Sequence, residues 1–176
     1  MRILLIGHGA REHAIAEAFR RNKSVELFSY MKSKNPGILA LSKTIELGSY
    51  SDLEKIKKFA GENEIDFAFI GSEDPLSFGA VDALQDIGIE SVGPTKLMAR
   101  LETSKSFTRE LLQKYKIEGN PEFRVFSKEN FDDLRVFLNY LDQVVIKPDG
   151  LTGGKGVKVQ GDHFNIKYEA LDYCRE

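Results

Sequence analysis

The chain has 176 residues, of which 41% are apolar and 30% charged, so it can bury a core and a disordered chain is excluded. With 25 Lys and Arg against 27 Asp and Glu, the net charge is −2, which leaves no basic excess for binding a nucleic-acid backbone. The single cysteine excludes a disulfide framework, and the apolar run Ile3–Ile6 is too short for a signal peptide or a membrane helix. We therefore expect a cytoplasmic protein without nucleic-acid or membrane partners.

Up to about Gly93, short β-type runs alternate with amphipathic helical stretches, which is typical of βαβ units that form a parallel sheet. The predicted strands are Ile3–Ile6, Val25–Tyr30, Ile65–Ile70 and Ile89–Val92. The third is nearly all apolar, which predicts a central strand buried on both faces. One helix is expected after Gly9, one from a Ser51–Glu54 capping box, and one from Pro75 through Val81 and Leu84, with Gly88 as its C′ residue.

Beyond Pro94 the pattern changes, and strands become shorter and sparser. Thr95 is expected to cap one helix, and a second begins at Ser104 or Lys105. The remaining predicted elements are a strand over Phe123–Phe126, a helix through Phe131 and Leu141, strands over Val144–Ile146 and Val157–Val159, and a helix that begins near Tyr168.

The first motif is Gly7-His8-Gly9-Ala10-Arg11-Glu12-His13, between a strand and a helix. Its glycines let the backbone approach an anion at the start of the helix, which indicates phosphate binding. The dinucleotide fingerprint requires a glycine where Glu12 stands and an acidic residue near the end of the second strand, so nicotinamide and flavin binding are disfavoured. The alternative is that the glycines only permit a tight turn. His8 and His13 are expected to hydrogen-bond or pack rather than bind a metal.

The second motif, Gly71-Ser72-Glu73-Asp74, follows the predicted central strand at the sheet edge where ligands bind in open α/β folds. Glu73 could accept hydrogen bonds from hydroxyl or amino groups of a substrate. Alternatively, Glu73 and Asp74 only favour the positive end of the next helix, by about 0.3–1 kcal/mol each.

The third motif is the loop Lys147-Pro148-Asp149-Gly150-Leu151-Thr152-Gly153-Gly154-Lys155-Gly156 between two strands. Four glycines in such a short segment are costly to order, which favours a loop that folds over a ligand with its amides facing phosphates. It is not a Walker A loop, because a strand follows it and Gly156 replaces the Ser or Thr. Lys147 ends a strand predicted to be buried, where its ammonium group needs an anion. The alternative is a surface hairpin with solvated lysines.

These motifs occur in the order and spacing of the phosphoribosylamine–glycine ligases, which the chain resembles over essentially its whole length. The specific elements are Gly-x-Gly-x-Arg-Glu-His-Ala near the start and Lys-x-Asp-Gly-Leu-x-x-Gly-Lys-Gly near residue 150. The resemblance implies a Rossmann-like substrate domain over residues 1–100 and the beginning of an ATP-grasp domain over residues 101–176. In the family, ATP phosphorylates the carboxylate of glycine, and the amine of phosphoribosylamine then displaces phosphate.

Carried over by position, the resemblance implies two sets of binding residues. The expected substrate-binding residues are Gly7, Gly9, Arg11, Glu12, His13 and Glu73, with the glycines and Arg11 at the sugar phosphate and Glu73 near the ribosylamine. The expected ATP-binding residues are Lys105, Lys147, Gly153, Gly154, Lys155 and Gly156. The substrates would be phosphoribosylamine, glycine and ATP, with Mg²⁺ held by ligands beyond residue 176, so no metal ligand and no catalytic residue is assigned.

Several positions depart from the family pattern. His8 stands where asparagine is expected, Ser72 replaces a proline, and Pro148 replaces an alanine. Family members are more than twice as long, so we expect the 176 residues to be inactive alone, with a missing carboxyl-terminal portion or a second polypeptide as partner. The alternatives are a non-catalytic nucleotide-binding module and a related purine-pathway ATP-grasp ligase.

Overall fold

A computed structural model describes residues 1–175, which divide into two compact units, Met1–Arg100 and the residues from Leu101 onward. The elements of the first unit are β1 (Arg2–Ile6), α1 (Ala10–Arg20), β2 (Glu26–Met31), α2 (Pro36–Leu41), β3 (Thr44–Leu47), α3 (Leu53–Glu62), β4 (Phe67–Ile70), α4 (Glu73–Phe78), α5 (Ala80–Gln85) and β5 (Glu90–Val92). The strands form one parallel sheet in the order β3-β2-β1-β4-β5. This confirms the predicted α/β class with a Rossmann-like sheet.

Both faces of this sheet are covered, because side chains that alternate along each strand enter two different clusters. Leu4 and Ile6 of β1 belong to one buried cluster, whereas Leu5 between them belongs to the other. Strand β4 lies between β1 and β5, so the nearly continuous apolar run predicted to be central is an internal strand of the sheet.

The start of α3 differs from the predicted capping box. Asp52, rather than Ser51, is the N-cap, and its carboxylate accepts a hydrogen bond from Lys55 N at 3.1 Å. The Ser51 hydroxyl instead lies 2.7 Å from that of Ser49. The prediction of a Ser51 cap was wrong by one residue because two good capping residues are adjacent.

The single helix predicted after Pro75 is two helices, α4 and α5. Gly79 separates them with φ of +97°, a left-handed conformation that a helix cannot continue through. The prediction for Gly88 is confirmed: Ile89 N donates to Leu84 O and Gly88 N to Gln85 O, both at 2.9 Å, which is the pattern of a Schellman motif.

Helix α2 and strand β3 were not predicted. Asn35-Pro36-Gly37 looks like a turn in the sequence, yet the Asn35 side chain caps α2 by accepting from Gly37 N at 3.0 Å. Strand β3 pairs with β2 at the edge of the sheet and is only half buried, so it lacks a strong apolar signal.

Helix α6 (Lys96–Thr103) begins after Thr95, as predicted, and the second unit contains α7 (Lys105–Lys114), a 3₁₀ turn (Lys128–Asn130), α8 (Phe131–Tyr140), β6 (Val145–Ile146), β7 (Lys158–Val159) and α9 (Lys167–Arg175). Ser104 caps α7, and β6 and β7 form the predicted antiparallel hairpin. The prediction of a strand over Phe123–Phe126 was wrong, because this segment pairs with no strand of the described chain. Phe126 packs on Phe137 instead, with ring centroids 5.8 Å apart.

The core of the second unit is small. Its buried cluster joins α8, α9 and the hairpin through Leu134, Leu138, Val144, Phe164, Ala170 and Leu171. Across residues 1–175, no helix has both the length and the apolar character needed to span a membrane.

Candidate functional site

The strand order reverses between β1 and β4. From β1 the chain first adds β2 and β3 on one side, and then returns to add β4 and β5 on the other side, which leaves a crevice between β1 and β4. Ligands of open α/β sheets bind at such a point, outside the carboxyl ends of the strands. The loops that follow β1 and β4 contain the first two sequence motifs. Arg11 joins them, since its Nη1 donates to Gly71 O at 2.9 Å. The structure therefore brings a guanidinium group to the crevice.

Glu12 has a structural role that the sequence did not reveal. Its side chain is only 3% exposed, and its Oε2 accepts from Gly9 N at 2.6 Å, while Oε1 is buried without a partner. A Cβ atom on Gly7, Gly9 or Gly71 would come within 3.0 Å of this side chain. The glycines therefore make room for a carboxylate of their own chain.

This arrangement changes what the Gly7 and Gly9 amides can bind. Gly7 N donates to Tyr30 O at 3.1 Å, and Gly9 N is occupied by Glu12. Neither amide is free to donate to a phosphate in this structure. The donors that remain at the loop are side chains, and Arg11 keeps guanidinium N–H groups beyond the one that Gly71 accepts.

Of the other predicted substrate-binding residues, His13 lies against α2 and Glu73 begins α4. Nε2 of His13 lies 3.5 Å from a carboxylate oxygen of Glu17, and its ring lies so close to Gly37 that a Cβ there would clash. Glu73 is the first residue of α4 and is half buried. In the described chain its carboxylate has no hydrogen-bond or ion-pair partner, so it is available to accept from a ligand.

In the second unit, Asp149 fixes the beginning of the glycine-rich loop to the start of α7. Its carboxylate accepts from Lys105 N at 2.7 Å, Ser106 N at 3.2 Å and the Ser106 hydroxyl at 2.5 Å, with the Ser104 hydroxyl at 3.3 Å. Burial opposes ionisation of this carboxylate, but the hydrogen bonds from Ser106, Gly150 and Lys105 outweigh it and hold the pKa of Asp149 below its ordinary value. No sequence pattern indicates this contact, because Lys105 and Asp149 are 44 positions apart.

Two further contacts hold the ends of the loop. The ammonium group of Lys105 donates to Gly150 O at 2.5 Å, so this predicted ATP ligand lies beside the loop. At the other end, Gly156 is buried against Thr152, and its carbonyl accepts from the Tyr173 hydroxyl at 3.1 Å. The loop is thus anchored at both ends.

The tip of the loop is open. Gly153 and Gly154 have φ of +57° and +76°, nothing lies within 4 Å of a Cβ built on either, and their N–H groups donate to no backbone acceptor of the described chain. Lys155 is exposed beside them. Lys147 is exposed as well, so its expected burial was wrong: β6 has only two residues and its Val145 is 50% exposed. These groups can meet an anion from solvent.

Residues 1–175 contain no group of three or more His, Cys, Asp or Glu side chains arranged to hold a metal ion. A surface cleft of about 550 Å³ in the second unit is lined by residues of β7 and α9 and the segment between them, including Lys158, His163 and Tyr173. None of the six predicted ATP-binding residues lines this cleft.

Comparison with known proteins gives matches along the whole chain. Residues 1–102 match the model for the phosphoribosylglycinamide synthetase N domain, and residues 103–176 match the model for the ATP-grasp (A) domain of the same synthetase. A phosphoribosylamine–glycine ligase from Methanobrevibacter smithii is 49% identical over 177 residues, an alignment that covers 100% of this chain and 39% of the relative. The chain therefore spans well under half the length of this relative.

Solved structures share the fold at low sequence identity. N5-carboxyaminoimidazole synthetase from Staphylococcus aureus aligns with a TM-score of 0.71 and 14% identity, covering 99% of this chain and 44% of that one. Phosphoribosylglycinamide synthetase from Anaerococcus prevotii gives a TM-score of 0.61 and 16% identity, covering 97% and 42%. The likeness to these structures concerns the fold alone. Because these family models match the chain over its whole length, the chain belongs to the phosphoribosylglycinamide synthetase family.

Proposed function

We propose that this chain supplies the sugar-phosphate site and the first nucleotide-binding elements of a cytoplasmic ligase of purine biosynthesis. The reaction would transfer the γ-phosphoryl group of ATP to the glycine carboxylate, and the amine of phosphoribosylamine would then attack the acyl carbon and release phosphate. The observation that carries the proposal is the Arg11–Gly71 hydrogen bond, which holds a cation at the crevice between β1 and β4. The choice of phosphoribosylamine, glycine and ATP as substrates rests on the family to which the chain belongs.

At this crevice, Arg11 would bind the sugar phosphate, because its guanidinium group donates several N–H bonds in the geometry of a phosphate. Gly7 and Gly9 would act by giving Glu12 its space rather than by donating their own amides. His13 would lie at the rim. Glu73, whose carboxylate has no partner among residues 1–175, would accept from the amine or a hydroxyl of the ribosylamine.

In the second unit, the exposed ammonium groups of Lys147 and Lys155 and the free amides of Gly153 and Gly154 fit the phosphates of ATP. Lys105 and Gly156 would hold the two ends of the loop in place. Bringing a triphosphate to a second anion requires such cationic groups and oriented amides, because they offset the repulsion between the reacting charges. The described residues do not offer a ligand set for Mg²⁺, so no step is assigned to it.

Two alternative functions for this chain are compatible with the same fold. A non-catalytic module would bind ATP equally well with and without Mg²⁺. A related ATP-grasp ligase of another substrate would not be expected to share the 49% identity found with a phosphoribosylamine–glycine ligase over the whole chain. The identity therefore favours the glycine-using ligase over a ligase of another substrate, and the Mg²⁺ dependence of ATP binding separates it from the non-catalytic module.

Binding calorimetry on paired variants tests the proposal. Arg11→Gln should weaken ribose 5-phosphate binding about tenfold or more and leave ATP binding unchanged, because it removes a charge-assisted hydrogen bond at one site. Lys147→Gln should weaken ATP binding by a similar factor and leave ribose 5-phosphate binding unchanged. Arg21→Gln, at the other end of α1, and Lys128→Gln, in the 3₁₀ turn, are the matched controls. If Arg11→Gln and Lys147→Gln both bind ribose 5-phosphate and ATP as tightly as the wild type does, the proposal is contradicted.

A further inference from the structure

His8 lies between the two glycines of the first loop, and both its backbone and its side chain are held. Its carbonyl accepts from Asn35 Nδ2 at 2.9 Å, and its Nδ1 lies 2.7 Å from the Tyr50 hydroxyl. The imidazole ring is tilted by 37° against the Tyr50 ring. These contacts fix the direction of the ring at the carboxyl end of β1.

Tyr50 determines which nitrogen of His8 carries the proton. Its side chain is only 2% exposed, and burial raises the pKa of Tyr50 to about 12, with Glu12 and Asp74 adding to the shift and the backbone N–H of Lys32 opposing it. The phenol therefore keeps its proton at neutral pH. A buried hydroxyl proton requires an acceptor, and Nδ1 of His8 is the acceptor within reach. A neutral His8 then carries its own proton on Nε2.

Within the described residues, the Nε2–H group of His8 has no partner. It makes no hydrogen bond within residues 1–175, and the buried polar atoms that lack a partner in this range are Glu12 Oε1 and Ser91 Oγ. Nε2 is therefore open to solvent. His8 belongs to the loop that directly precedes α1, in which Arg11 is the second residue, and the Gly7 and Gly9 amides of that loop are already occupied.

We propose that His8 donates its Nε2–H to a phosphate oxygen of the sugar phosphate, and that Tyr50 is the positioning residue that fixes this tautomer. The inference rests on the proposed sugar-phosphate site and adds the donor that the glycine amides do not provide. Arg11 supplies the charge that attracts the phosphate, whereas His8 supplies an N–H donor whose direction is fixed by Tyr50. The ligand class is a phosphate monoester, and a sugar without phosphate would not engage His8.

Two-bond ¹H–¹⁵N correlation spectra of the histidine-labelled chain test the tautomer directly. At a pH at which the imidazole is neutral, the wild-type chain should show an unprotonated Nδ1 and a protonated Nε2 at His8. Tyr50→Phe removes one hydroxyl from the core and should raise the population with Nδ1 protonated. Ribose 5-phosphate should shift the Nε2 resonance of the wild-type chain, and ribose, as the matched ligand without phosphate, should not.

Affinity separates this inference from the proposed function. His8→Leu should weaken ribose 5-phosphate binding about tenfold, and His8→Asn, which keeps an N–H donor, should recover most of it. Unchanged binding by His8→Leu, or a wild-type Nδ1–H tautomer, would overturn the role of His8 and leave the sugar-phosphate site standing. No binding of ribose 5-phosphate by the wild-type chain would overturn both.

Discussion

Replacing Asp149 by alanine should release α7 from the glycine-rich loop. The carboxylate accepts from the backbone N–H groups of Lys105 and Ser106 in the first turn of α7 and from the Ser106 hydroxyl. No residue of α7 is fully buried, so hydrophobic packing provides little to replace these bonds. A capping carboxylate is worth about 0.5–2 kcal/mol, and because Asp149 is partly exposed we expect a loss of about 1–2 kcal/mol rather than the sum of its bonds.

Amide hydrogen exchange measures this loss locally. Exchange in α7 should accelerate about 5- to 30-fold in Asp149→Ala, while exchange in α9 stays within about twofold of the wild type. Asp132→Ala is the matched control, because Asp132 also lies in the first turn of a helix but accepts no hydrogen bond from the described chain. Equal acceleration in α7 and α9, or no change in α7, would refute the reasoning.

The remaining predictions concern pH and packing. Because the pKa of Asp149 is lowered in the folded chain, the ionised carboxylate stabilises the fold above the ordinary aspartate pKa, and this stabilisation is lost as pH falls through the pKa of the folded chain. The amide exchange rates of α7 in the wild type and in Asp149→Ala should therefore converge in acid. A difference that stays constant with pH would contradict this. Gly71→Ala should destabilise the first unit by about 1–3 kcal/mol in urea unfolding, because its Cβ would collide with buried Glu12, whereas Gly61→Ala in α3 should stabilise it by about 0.5–1 kcal/mol. Leu138→Ala, in the core of the second unit, should cost about 2–4 kcal/mol, and Val136→Ala on the 69%-exposed face of α8 should stay within about 0.5 kcal/mol; similar effects of the two would contradict the assigned core.

Much of the fold could be predicted because its signals are local. The apolar run of β4, the Ser104 cap of α7 and the glycine after α5 each depend on a few neighbouring residues. Elements without such a signal were missed or misplaced. Strand β3 is a half-buried edge strand, and the break at Gly79 depends on a left-handed conformation that its neighbours do not announce.

The glycine-rich loops of the candidate site could be recognised in the sequence, whereas the contacts within them could not. The sequence indicated two glycine-rich loops, and both lie at the ends of strands. It could not show that Glu12 fills the space above Gly7 and Gly71, or that Asp149 caps a helix more than 40 residues earlier in the chain. Both facts depend on which segments fold next to each other, so the glycines of the first loop were interpreted as phosphate donors when they accommodate a side chain.

A single titration series on the ¹⁵N-labelled 176-residue chain tests the central claim most directly. Ribose 5-phosphate should shift the amide resonances of residues 7–13 and 71–73 and leave residues 150–156 unchanged. ATP added to the same sample should shift residues 150–156 and the amide of Lys147. Two separate sets of shifts are the predicted result; a single shared set, or no response to either ligand, would contradict the account.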